Sequence, residues 1–534
     1  MEAMETFDRQ TRRGFLRAVG LGAVGGLLAD RLFAESGPAV KSPPDASKTL
    51  AAGASLAPAR PNVLFIMTDQ QFADAMSCRM GNKWINTPAL DALAGGGALF
   101  SRAYSPNPLC MPMRASTFTG CYPHQTTVIH NAANQANPKE FTCMGTYFRR
   151  AGYQTAYYGK WHLFFPVKDV DSHGFETPPT KQKDAGTTQQ AVEFLSQKHD
   201  RPFLLVVSFM NPHNICEYAR NQHNLPPQER GEKLPDGPIG KAPPPDQCPP
   251  PPANLAPPKN ESDTIAMIRK GEHATTSFPV GEFTPDDWRQ VRWGYYRLVE
   301  KVDAQIGQVL AALRKAGLED NTLVVFTADH GDCTGAHGFN QKTVFYEESA
   351  RIPLLISFKG RIKKIECNQL VNTGVDLAAT LLDFAGIPVP EKLTGRSLKP
   401  LALGTPPAAW RRYIVVENDM VQTGAVGDIR PQSQGRMVRS ERYKYCLFEK
   451  GAQREELYDL EKDPLETVSL ARDAAARPVL LEHRALLRQF AEENHDATAL
   501  AMLANDIAPN PFTSADAPAQ TRGGKKNAKE PAAP

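Results

Sequence analysis

Apolar residues in this chain come in short unbroken runs, separated by stretches with helical spacing. Asn62-Val63-Leu64-Phe65-Ile66-Met67 is almost wholly apolar, the pattern of a strand buried on both faces of a parallel sheet. Similar runs recur at Tyr153–Tyr158, Phe203–Phe209, Thr322–Phe326 and Ile352–Ser357. Helical patterns lie among them at Thr87–Ala94, Met144–Ala151, Thr187–Gln197, Pro285–Ala316 and Val375–Phe384. This alternation predicts a doubly wound α/β domain over residues 61–400, a mostly parallel sheet flanked by helices. After Leu401 the texture changes to short strands at Tyr413–Val416, Gly435–Val438, Tyr443–Phe448 and Glu456–Tyr458, then a helix from Pro478 to Glu493. That predicts a smaller antiparallel α+β subdomain over 401–505. There is no internal repeat.

One segment breaks the alternation. Thirteen of the thirty-three residues from Pro226 to Pro258 are proline, so the insertion 221–275 is expected to be a surface loop with polyproline character, placed to serve as a rim over a substrate cleft. Residues 35–60 are rich in Ala, Ser, Pro and Gly and read as a linker. The tail 506–534 is rich in Ala, Pro and Lys and reads as disordered.

The formal net charge is +3. Residues 1–34 contribute +1 and residues 512–534 contribute +2, so the part between them sums to zero (3 − 1 − 2). A neutral body argues against a nucleic-acid-binding face and leaves room for a local anion pocket. The first 34 residues read as an export leader. Arg12-Arg13 precede Gly14-Phe15-Leu16, a Gly-rich apolar stretch follows from Ala18 to Ala29, and Leu32-Phe33-Ala34 forms a small-residue exit. The stretch is too short to be a stable membrane span. The paired arginines resemble the twin-arginine motif, which implies a twin-arginine translocase as partner and a periplasmic or secreted destination. The nine cysteines include no C-x-x-C pair, which excludes a zinc ribbon and a thioredoxin motif. An oxidising destination permits disulfides, and the odd count leaves at least one cysteine unpaired.

Candidate chemistry collects at strand ends. Asp69-Gln70 close the first buried run and Asp329-His330 follow Thr322–Phe326. Ligands of open α/β sheets gather at that carboxyl edge. Oxygen donors with one imidazole suit Ca²⁺, Mn²⁺ or Mg²⁺. Lys160 and His162 follow a third strand and project together if the backbone is extended. His213 follows a fourth. Pro112 two residues after Cys110 suits a helix start, and a helix N-terminus favours an anion.

Cys110-Met111-Pro112-Met113-Arg114, running on to Thr119-Gly120, resembles the signature of type I sulfatases, members of the alkaline phosphatase superfamily. Further motifs match in order from about residue 60 to 460: Asp69-Gln70, Gly159-Lys160-Trp161-His162, Asn211-Pro212-His213, and Asp329-His330-Gly331 with His337-Gly338, followed by Lys342. The resemblance implies an alkaline phosphatase-like fold and hydrolysis of a sulfate ester, with a sulfated small molecule or glycan as substrate. It further implies that a formylglycine-generating maturation enzyme converts Cys110 to 3-oxoalanine (formylglycine). One hydroxyl of its hydrate would attack sulfur, and loss of the other proton, assisted by His162, would expel sulfate from the resulting hemiacetal. The implied metal ligands are Asp69, Gln70, residue 110, Asp329 and His330, with calcium first and manganese or magnesium as substitutes. Lys160 would bind sulfate oxygens, Arg114 would anchor the nucleophile turn, and His213 with Lys342 would protonate the leaving oxygen. Three departures stand out: Gln70 and His330 replace the commonest acidic ligands, and Met113 stands where the family usually has a small residue. Two other readings share these residues, a formylglycine-dependent phosphate or phosphonate monoester hydrolase and a non-catalytic binder of sulfated glycans. His130, His273 and His483 match no motif and read as surface or packing residues.

Overall fold

The computed structural model describes residues 60–132, 135–221, 231–278 and 280–513. The expected leader, the linker through residue 59 and the tail from residue 514 lie outside them. The described residues form thirteen strands: β1 Asn62–Asp69, β2 Ala98–Phe100, β3 Ala103–Tyr104, β4 Gln154–Gly159, β5 Phe203–Pro212, β6 Thr322–Ala328, β7 Leu354–Phe358, β8 Ile365–Cys367, β9 Val371–Asn372, β10 Tyr413–Met420, β11 Ser433–Ser440, β12 Tyr443–Phe448 and β13 Glu455–Asp459. Seven form one sheet in the order β4-β5-β1-β6-β7-β2-β8. β4, β5, β1 and β6 run parallel, and β7 is antiparallel to both β6 and β2. The unbroken apolar character of β1 follows from its central place. Val63, Phe65 and Met67 enter one core with helices Cys110–Thr119 and Thr373–Phe384. Leu64 and Ile66 enter the other, with helices Asp184–Leu195 and Pro285–Lys315. This is the predicted mostly parallel, doubly covered sheet.

β10 to β13 form an antiparallel four-stranded sheet. Val415, Val438, Tyr445 and Leu457 on one face pack under Leu480, Leu487 and Phe490 of helix Arg477–Asn494. The opposite face buries Val416, Met437 and Cys446 against Val344, Phe345 and Tyr346. The C-terminal sheet therefore grips the segment that carries Lys342.

Two boundaries differ from expectation. The insertion 221–275 contains a helix, Asp263–His273, whose start is capped by Ser262 accepting from the Ile265 amide. Ile265 and Ile268 bury its inner face, so proline dominates only the segment before it. The tail begins later than residue 506, because the backbone groups of Asn510 and Gly451 exchange two hydrogen bonds of 2.7 and 2.8 Å. All nine cysteines are free thiols. Among the described residues no helix is long and apolar enough to cross a membrane.

Candidate active site

Sheet register assembles the site. Thr68 of β1 pairs with Ala328 of β6, and Asp69 pairs with Pro212 of β5. Asp69-Gln70, His213 and Asp329-His330 therefore leave the sheet at one edge, while Gly159 of β4 pairs with Ser208 and delivers Lys160 and His162 beside them. Helix Cys110–Thr119 starts at Cys110 after an extended Leu109, and it ends on Gly120 at φ 69°. A Cβ on Gly120 would lie 2.8 Å from Leu393, so glycine is needed there for both backbone and space. Asn131 accepts a 3.1 Å hydrogen bond from the Met111 amide and steadies the first turn.

Arg114 is the hub of the buried polar network. Its Nε donates to Asp329 Oδ2 at 2.9 Å and its Nη2 to Asp69 Oδ2 at 3.4 Å. Nη1 donates to the Lys160 carbonyl at 3.0 Å and to Ser208 Oγ at 2.8 Å. The Lys160 ammonium donates to Asp69 Oδ2. The Cys110 sulfur lies 3.1 Å from His330 Nε2 and 3.8 Å from Asp69 Oδ1, and both His162 and His213 hydrogen-bond with it. His330 Nδ1 faces the Gly331 carbonyl at 2.9 Å, an arrangement that orients Nε2 toward the sulfur. Gln70 turns at φ 72°. Its backbone amide donates to Asp329 Oδ1 at 3.1 Å, its carboxamide nitrogen to Asp332 at 2.6 Å, and its carboxamide oxygen accepts from Lys342.

The charges follow from this crowding. Burial pushes the Cys110 thiol up, but Lys160, Lys342 and His330 outweigh it and hold it well below the ordinary thiol value. Burial also acts against Asp69, and Lys160, His213 and His330 reverse it, keeping that carboxyl ionised. Asp329 is raised by burial and by its neighbour Asp69. Burial, then Lys342, push His213 down to about 4. Oxygen and imidazole donors of Asp69, Asp329 and His330 and the Cys110 sulfur all lie within 4.8 Å of one another. That is a donor set suited to a hard divalent cation.

The ten residues given a catalytic or metal-binding role converge here, although Gln70 directs its side chain to Lys342 and Asp332. His337 does not join them. It stacks on Tyr346 at 3.7 Å and bonds Asn254 in a separate cluster with Glu348 and Glu466. Sequence reasoning missed Ser208, Asp332 and Tyr295, whose hydroxyl donates to the Gln70 carbonyl at 2.8 Å. Ser208 had a signal, as the single hydroxyl in the run Val206-Val207-Ser208-Phe209. Met113 needs no space in the site, because it packs behind the helix against Ala328 and Ile352. The three unmatched histidines bond outside the cluster: His483 to Ser440 and Val479, His273 to the Gly338 carbonyl, and His130 to the Ala132 amide.

His213 and Lys342 open onto a cavity of about 670 Å³ walled by Thr275–Phe278 and Val421–Ala425. The second wall belongs to the β10–β11 connection. No described residue of the Pro-rich segment 231–258 lines it. Pro252, Ala253 and Asn254 face a different cavity, whereas Ala274 and Thr275, at the end of the insertion, line this one.

A mostly parallel sheet with two acidic strand ends, a buried cysteine at a helix start and two lysines fits an alkaline phosphatase-like hydrolase of anionic esters. The sulfatase family matches residues 61–387, and the C-terminal region of N-sulphoglucosamine sulphohydrolase matches residues 335–493. The chain is 31% identical to a Δ4,5-hexuronate-2-O-sulfatase of Bacteroides thetaiotaomicron, over 84% of this chain and 92% of that one. It is 28% identical to an N-acetylglucosamine-6-O-sulfatase of the same organism, over 76% and 82%. A solved 2-O GAG sulfatase superposes with TM-score 0.68 at 28% identity, covering 82% of this chain and 93% of the other. The chain belongs to the sulfatase family and is a sulfuric ester hydrolase.

Proposed function

We propose that this chain is an exported sulfatase that releases inorganic sulfate from a sulfated carbohydrate, using a formylglycine made from Cys110 and one divalent cation. The observation that carries this reading is the setting of Cys110. It opens a buried helix, contacts three histidines, and shares a donor cluster with Asp69, Asp329 and His330. Two carboxylates, an imidazole and a buried His162 Nδ1 without a partner fit both groups. Formylglycine, when formed, supplies a hydrated aldehyde as the oxygen nucleophile. A divalent cation, calcium first, held by Asp69, Gln70, residue 110, Asp329 and His330, supplies charge neutralisation for the sulfate.

The remaining work is done by side chains. Lys160 and Lys342 bring ammonium groups to the sulfate oxygens, which lowers the cost of approach by an anionic nucleophile. Arg114 holds both carboxylates and the Lys160 carbonyl in place. His162 takes the proton whose loss releases sulfate. Burial and Lys342 keep His213 neutral, and a bound sulfate offsets that lysine and raises the proton affinity of His213. The His213–Lys342 pair then delivers a proton to the leaving oxygen. Export is supported by the Arg12-Arg13 leader, and the burial of Cys110 favours its conversion before the chain folds. The test is mass spectrometry of the Cys110 peptide from the native host together with sulfate release from sulfated sugars. An unmodified thiol there, or faster release of phosphate than sulfate from matched aryl esters, would overturn the reading.

A further inference from the structure

The cavity above His213 and Lys342 has a marked charge asymmetry. Arg220, Lys342 and Arg430 line it, and no Asp or Glu is among its described lining residues. Lys342 is buried at the base and is committed to the reacting group through Gln70 and Cys110. Arg220 donates to Glu217 at 2.6 Å and to the Ser277 carbonyl at 3.2 Å, which fixes it along the wall. Arg430 differs from both. It is exposed, comes from the β10–β11 connection rather than the catalytic sheet edge, and its guanidinium has no hydrogen bond or ion pair with a described residue. A volume of about 670 Å³ exceeds what one sulfate group fills and suits a sugar ring with its substituents. A free guanidinium facing such a space offers a planar fork for a carboxylate or sulfate. With no carboxylate among its described lining residues, the cleft offers no counter-charge there to a cationic ester such as choline sulfate.

We propose that Arg430 forms a subsite for a second anionic group of the substrate, a carboxylate or a further sulfate on the sugar whose sulfate ester is cleaved. This rests on the sulfatase reading above and narrows it from sulfated carbohydrates to those carrying at least two negative groups. The reacting sulfate sits at the buried base, and Arg430 receives the other group at the rim.

The full chain, produced with a formylglycine-generating enzyme and supplied with calcium, is assayed on three sugars. These are a uronate with one sulfate, the matching neutral sugar with one sulfate, and the neutral sugar with two. One of the two doubly charged sugars is expected to exceed the singly charged one in kcat/KM by about tenfold or more, the scale of a charge-assisted hydrogen bond, with the difference mainly in KM. The preferred one identifies the group. Arg430→Gln is expected to reduce that preference ratio by about tenfold, Arg430→Lys to keep part of it, and Arg412→Gln, an exposed arginine outside the cleft, to keep all of it. Equal turnover of the three sugars by the wild type, or an Arg430→Gln variant that keeps the ratio, overturns the subsite. Calorimetric binding of the same sugars to Cys110→Ser reads the subsite without turnover. If binding shows an Arg430-dependent preference while the wild type releases no sulfate, the sulfatase reading fails and the subsite stands.

Discussion

Replacing Arg114 by methionine tests whether the site is held together by charge. The side chain is 0% exposed and so are its partners Asp69 and Asp329. Methionine matches its length but donates nothing. Asp329 Oδ2 would lose a 2.9 Å bond, Ser208 Oγ one of 2.8 Å and the Lys160 carbonyl one of 3.0 Å. Lys160 would remain beside Asp69, so that carboxylate keeps a counter-charge. Asp329 would keep the Gln70 and His330 amides on Oδ1 but only the His330 ring, at 3.5 Å, as an ion-pair partner. Removing one partner of a buried ion pair costs about 3–5 kcal/mol, a large part of the roughly 5–15 kcal/mol that stabilises a folded protein. Urea unfolding of wild type and Arg114→Met, in chelator and again in excess calcium, reads the loss. A smaller loss in calcium is expected, since a bound cation would shield Asp329. Arg114→Lys should fall between the two, keeping charge but losing the fork. A loss below about 1 kcal/mol in chelator, the scale of an exposed pair, would show that Arg114 does not hold the site together.

Calcium added to chelator-treated protein should raise its unfolding free energy, by about 2.7 kcal/mol at a hundred times Kd. Asp329→Asn should remove that gain, and a wild type indifferent to Ca²⁺, Mn²⁺ and Mg²⁺ would refute the metal site. His213→Ala should slow hydrolysis of an alkyl sugar sulfate by about 10²–10⁴-fold while sparing a nitrophenyl sulfate, whose leaving group needs no proton. Equal loss on both would remove His213 from the acid role. Burial pushes His124 down, but Glu417 and Asp496 outweigh it and raise its proton affinity. The stabilisation is therefore complete below the ordinary histidine value near pH 6.5 and fades as pH rises through the folded value. The Tm gap between wild type and His124→Gln should be wider at pH 6 than at pH 8.5, and a constant gap would refute the linkage.

Much of the frame was legible because β1, β5 and β6 are buried on both faces and so read as unbroken apolar runs. β2 and β8, of three residues each, are too short to show a period. β10 continues through Glu417, Asn418 and Asp419, where polarity signalled an end. Glu417 is satisfied there by His124 at 2.7 Å, a partner nearly three hundred residues away in the chain. The helix Asp263–His273 was hidden by the proline count before it. Within the site, residues at strand ends and in the Cys110 motif could be named in advance, because each touches the reacting centre. Asp332 and Tyr295 could not, and Ser208 showed only as a lone hydroxyl in an apolar run, since they act by holding Arg114 and Gln70, and only the folded register brings them together.

The β10–β11 connection separates two tasks along the chain. The groups proposed to meet the reacting sulfate come from residues 69 to 342, whereas Val421–Ala425 and Arg430 wall the cleft from a hairpin some eighty residues later. That hairpin hangs on its own sheet, with its own core under helix Arg477–Asn494. Its tip anchors on helix Asp263–His273, where the Gly424 amide donates to the Gly271 carbonyl at 2.7 Å, so a change in its length or charge acts first on the cleft wall. Grafting this one loop between relatives is thus a route to a different sugar preference on an unchanged bond-breaking apparatus.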